Sequence, residues 1–146
     1  MRRLIRIFFI IAISLSLSGC KKIDTSDIRT DSEPITRRFP SLPTPDRMYW
    51  QYEKQSGVGL DHHELALFAF YEDTNQFDAV KNQLVPDQKG LSIEPAFVPE
   101  ELGAHTLSWR SAQTDTYFQE DALEPKAIAA YWCDQEQVLY LSMSWD

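Results

Sequence analysis

Glycine and cysteine are scarce in this chain, with five and two residues in 146. A glycine-rich loop that cradles phosphate would stand out against so few glycines, and none occurs. No G-x-S-x-G nucleophile elbow is present either, and no cofactor-binding motif is read. Two cysteines exclude a scaffold built on several disulfides. No apolar run reaches the roughly 20 residues that cross a bilayer. Positive charge is also in short supply: 14 Lys and Arg stand against 22 Asp and Glu, a net of −8. A field of that sign repels nucleic acid, which is therefore not an expected partner. At 43% hydrophobic and 25% charged, the chain is nevertheless that of a globular protein of one domain.

What is present begins at the N-terminus. Arg2, Arg3 and Arg6 precede an apolar stretch over residues 7–17, broken only by Ser14 and Ser16. This is the layout of a secretory signal, too short for a membrane span. It ends in Leu17-Ser18-Gly19-Cys20, which resembles the lipobox of bacterial lipoproteins: a leucine, two small residues and a cysteine. The resemblance implies cleavage between Gly19 and Cys20, removal of residues 1–19, and diacylation of the Cys20 thiol as a thioether. In many Gram-negative bacteria it implies a third acyl chain, and two or more chains suffice for stable anchoring. Lys21 follows the cysteine, and in enteric bacteria an aspartate there favours the inner membrane. The resemblance thus implies an outer-membrane location facing the periplasm. It covers about twenty residues and is silent on the rest.

Residues 20–46 are expected to form the lipidated cysteine and a flexible tether. Four of the eight prolines lie there (Pro34, Pro40, Pro43, Pro45), among many Ser, Thr and Asp residues. The apolar residues show no regular period. As a flexible chain this segment would span roughly 30 Å; alternatively, residues 39–45 pack along the domain surface. Its charges cancel, with five basic and five acidic residues over 21–46. From residue 47 to 146, six basic residues face seventeen acidic ones, a net of −11. Such a surface suits a cationic protein partner or a divalent ion, and it also serves solubility.

Residues 47–146 are expected to be a single α+β domain: a small antiparallel sheet of four to five strands with one main helix packed on it. Residues 47–54 alternate, Met48, Trp50 and Tyr52 against Tyr49, Gln51 and Glu53, as a strand does. The apolar run at residues 64–71 suits a central strand. Thr74 is the expected N-cap of a short helix carrying Phe77, Val80 and Leu84 on one face. Residues 85–103 read as loop with a single turn at 100–102, and residues 105–110 and 116–120 as two short strands. A C-terminal hairpin is expected from 128–133 and 138–145 about the polar Asp134-Gln135-Glu136-Gln137. Its second strand places Leu139, Leu141, Met143 and Trp145 on a core face. Tyr49, Trp109 and Tyr140 have polar neighbours and are candidates for an exposed aromatic patch that binds glycan or protein.

Candidate chemistry is sparse. Asp61-His62-His63-Glu64 has the residue types of a metal site, yet adjacent strand residues point to opposite faces. Only one of these histidines can then share a site with the distant His105, and the i, i+4 spacing of a zincin helix is absent. No metal ligands and no catalytic residues are assigned on this basis. With Cys20 lipidated, Cys133 is the one remaining thiol, and its apolar surroundings predict burial. Two functions follow as expectations. The first is a membrane-anchored, non-enzymatic interaction module whose acidic surface meets a basic envelope protein or toxin, as in toxin immunity or an accessory subunit. The second is a small periplasmic hydrolase or ligand- or metal-binding protein using a His/carboxylate site near His63 and His105.

Overall fold

The computed structural model describes residues 21–57, 59, 61–103, 107–113 and 127–146. The expected signal sequence and lipobox with Cys20, His105 and the strand expected at 116–120 lie outside them. Among the described residues, seven strands form one antiparallel sheet: β1 (Lys22–Thr25), β2 (Arg47–Ser56), β3 (His62–Phe70), β4 (Val85–Leu91), β5 (Trp109–Gln113), β6 (Ala127–Cys133) and β7 (Val138–Trp145). Their spatial order is β1-β2-β3-β7-β6-β5-β4. Two short helices, α1 (Glu33–Arg38) and α2 (Thr74–Lys81), and a 3-10 turn at Glu100–Leu102 complete the elements. The α+β class fits broadly, but the sheet exceeds the expected four to five strands and the helices are minor.

The extra strands come from the two segments whose sequence reads as loop. The stretch expected to be a free tether is folded in. Lys22, Ile23, Asp24 and Thr25 pair with Ser56, Gln55, Lys54 and Glu53 of β2. Arg29 then exchanges backbone hydrogen bonds of 2.8 and 2.9 Å with Trp50. Proline at the start of α1 is no obstacle, because the first helical turn has no intrahelical use for that N–H. Past the helix, Phe39 and Leu42 insert into the core, with Ile35, at 1%, 6% and 2% exposure. The Tyr71 hydroxyl donates to the Pro43 carbonyl at 3.0 Å, and Asp46 Oδ2 accepts from the Glu72 amide at 2.7 Å. At the other edge, β4 pairs with β5 through register shifts around Lys89. Gly90 there takes φ +73°, open to glycine at no steric cost. A strand with a proline and such irregularities has none of the alternation by which strands are recognised. It is also the kind of edge that resists pairing with another chain.

The two faces of the sheet are covered differently. On the first, Met48, Trp50, Leu65, Leu67, Leu139, Leu141, Met143 and Trp132 meet Ile35, Phe39 and Leu42 from the N-terminal segment and Phe77, Val80 and Leu84 from the α2 region. On the second, Ala66, Phe68, Phe70, Trp109, Cys133, Val138 and Tyr140 are covered by Leu102, with Leu91, Ile93, Phe97 and Leu107 packed against them. Phe68 lies at the centre of an aromatic array there, stacked on Tyr140 at 4.6 Å and edge-on to Phe97 at 5.2 Å. Both faces of β3 are therefore buried, which is why Leu65 to Phe70 is a continuous apolar run. Helix α2 is capped by Asp73, whose Oδ1 accepts from the Asn75 amide at 2.8 Å, rather than by the expected Thr74. The expected strand near residue 105 begins only at Trp109. The C-terminal hairpin matches its expected bounds to within one residue.

Candidate functional site

Strand geometry separates the two adjacent histidines. His63 lies on the helix-covered face, where its Nδ1 hydrogen-bonds the Tyr52 hydroxyl and its ring stacks parallel to Trp145, centroids 5.4 Å apart. The Arg38 guanidinium sits 4.2 Å over the same Trp145 ring. His62 lies on the other face between two carboxylates, Nδ1 at 2.9 Å from Asp146 Oδ1 and Nε2 at 3.1 Å from Glu64 Oε1. The Asp146 bond, then the Glu64 bond, raise its pKa above the ordinary histidine value. Asp61 pairs with Lys54 at 2.7 Å, and that bond lowers its pKa. The four residues of the Asp61–Glu64 cluster thus serve three separate contacts. Among the described residues no group of three or more potential ligands converges as a metal site. His105 lies outside the described residues.

Cys133 is buried, as its surroundings predict, with its Sγ 3.8 Å from Gln135 Oε1. Two of the three aromatics expected to be exposed are core residues instead: Tyr140 and Trp109 are 4% and 5% exposed. The strap through Phe97 and Leu102 covers them, and no local sequence pattern announces that cover. Tyr49 is different. It is half-buried and lines a cleft of about 640 Å³ at the start of β2, together with Ile28, Arg47, Val98, Glu100 and Glu101.

Three features set this cleft apart. Ile28 and Val98, 47% and 52% exposed, are two of the four exposed large apolar residues in the described structure. Both sit in its wall. Three carboxylates surround one cation: Arg47 pairs with Glu101 and approaches Glu72 at 3.9 Å, with Glu100 alongside. Glu101 is itself mostly covered, and its Oε1 is buried with no hydrogen-bond partner among the described residues. The bond with Glu101, with burial second, also raises the Tyr49 pKa. A second depression of about 310 Å³ shares Arg47 and Tyr49 and extends past Thr30 and Ser32 to Asp46.

Compared with protein-family models, curated proteins and solved structures, the chain matches none. The cleft must therefore be read from its own chemistry. An uncompensated buried carboxylate oxygen costs about 1–3 kcal/mol, and the exposed aliphatics beside it are wetted at a further cost. Sequence reasoning missed the site because its walls come from three separate segments, at Ile28, at Arg47 and Tyr49, and at Val98 to Glu101. The acidic Glu100-Glu101 pair and the alternation that places Tyr49 opposite the core were its only local signals.

Proposed function

We propose that this is a lipid-anchored protein of the bacterial envelope, held on the outer membrane through Cys20, and that it works as a non-enzymatic interaction module. Its partner is a basic protein, either an incoming toxin or a subunit of an envelope complex. The observation that carries the reading is the Arg47–Glu101 cleft, where a carboxylate oxygen buried without a hydrogen-bond partner among the described residues lies beside two exposed aliphatic side chains. The net −11 over residues 47–146 supplies the long-range attraction. A lysine or arginine snorkelling along Ile28 and Val98 would bring its charge to Glu101.

Two measurements test the two halves. In the full chain, Cys20→Ala should abolish incorporation of labelled palmitate and release the protein from membranes; retained label would sink the anchor. For the cleft, envelope extract is passed over the native protein and over Val98→Lys. A basic protein should be held by the native surface at low salt, released at high salt, and missed by the variant. An identical set of salt-insensitive proteins on both surfaces would overturn the interaction reading.

A further inference from the structure

We propose that the sheet itself is the spacer of this lipoprotein: the start of β1 and the β2–β3 turn rest on the phospholipid headgroups, and the Arg47–Glu101 cleft is held at the far end of the strands. The inference rests on the lipidation of Cys20 proposed above and adds the orientation that follows from it. β1 opens at Lys22, so Lys21 alone separates the fold from the acylated residue. Two Cα steps of 3.8 Å place Lys22 within about 8 Å of Cys20. A headgroup layer is itself about 5–7 Å deep on each side of the hydrocarbon core. Lys22 therefore lies in or directly upon that layer.

The start of β1 is fastened in place. Beyond its four register pairs with β2, the Ser26 amide donates to the Tyr52 carbonyl at 2.8 Å and the Trp50 indole donates to the Asp31 carbonyl at 2.9 Å. The Lys21 backbone lies beside the β2–β3 turn, its Cα 4.0 Å from where a Cβ on Gly57 would stand. Charge at this end is mixed, Lys21, Lys22 and Lys54 standing among Asp24, Glu53, Asp61, Glu64 and Asp146, so the acyl anchor and not attraction to lipid holds it there. Asp24 and Asp61 are each neutralised by a lysine, at 2.8 and 2.7 Å from Lys22 and Lys54. From Ser56, β2 runs back ten residues to Arg47, a distance of about 30 Å at 3.3 Å per residue. That is as far as the flexible tether would have reached, but in a fixed direction.

The test uses the full acylated chain in nanodiscs whose headgroups chelate gadolinium. Nitroxides are placed at Asp24→Cys, near the anchored end, and at Glu136→Cys, in the β6–β7 turn at the far end; both positions are exposed. Cys20 is blocked by its lipid and Cys133 is fully buried. Relaxation at position 24 should exceed that at 136 by at least about tenfold over a separation near 30 Å. Inserting twenty Gly/Ser residues after Lys21 should erase most of that difference. Equal relaxation at the two positions, with palmitate incorporated, would overturn the orientation and leave the anchor standing. Absence of palmitate on the native chain would remove the anchor and the orientation together.

Discussion

The helix-covered face of this sheet buries many more large side chains than the strap-covered face, and the two are closed by different means. The first is closed by an N-terminal segment that is hydrogen-bonded to β2 before it delivers Ile35, Phe39 and Leu42. The second is closed by an irregular stretch in which Leu102 is fully buried while Ile93, Phe97 and Leu107 stay half-covered. Cover that is tied down by backbone pairing can be packed tightly. The irregular cover of the second face stays partly exposed and has clefts along its margin, including the one at Glu101. The cleft is then a by-product of how the second face is closed.

The largest expected effect tests that contrast directly. Phe39 is 1% exposed, and Phe39→Ala should lower unfolding stability by about 3–5 kcal/mol, as large-to-small changes of buried aromatics do. Phe97→Ala, at a half-covered position, should cost about half as much. Urea denaturation followed by tryptophan fluorescence measures both. A Phe39 cost below about 1 kcal/mol would mean that the N-terminal segment is not part of the cooperative unit.

The same contrast explains which elements the sequence discloses. The hairpin of β6 and β7 pairs consecutive strands through a four-residue turn, and Leu139, Leu141 and Met143 alternate with Val138, Tyr140 and Ser142 on the opposite face. Local pattern and tertiary role agree there. β3 is legible as a central strand because burial on both faces leaves no polar position from Leu65 to Phe70. β1 is exposed along its whole length, so Lys22-Ile23-Asp24-Thr25 carries no alternation and only pairing with β2 defines it. β4 contains Pro86 and Gly90, residues that normally argue against a strand. At the site, strand alternation separates His62 from His63 without further information. The cleft was hidden, because Ile28 and Val98 are seventy residues apart in the chain and meet only through β2.

A smaller effect is expected where α2 joins the sheet. Asp73→Ala removes the side-chain acceptor for the Asn75 amide and should cost about 1 kcal/mol in the same denaturation experiment. Thr74→Ala should cost much less, since Thr74 is the first helical residue and not its cap. Equal losses would reassign the cap. This pair sharpens the comparison by showing how much of the helix-covered face depends on α2 being formed rather than merely buried.

The smallest effect separates the faces by pH. His62, on the strap side of the sheet, is the bridge between Asp146 and Glu64, and these bonds raise its pKa above the 6.5 of a free histidine. A raised folded-state pKa means that the folded protein holds the proton more tightly than the unfolded chain. The stabilisation is complete below about pH 6.5 and is lost as the pH rises through the folded-state value. His62→Gln should therefore be less stable than the native protein on the acid side of that window, and the difference should shrink towards the alkaline side. The quantity to follow is the gap between the two urea midpoints, which removes the pH dependence that the two proteins share. A gap that stays constant with pH would show that His62 contributes packing alone. A gap that widened as the pH rose would reverse the sign of the bridge. Since the His62 side chain is partly exposed, added salt should narrow the gap in the acid range.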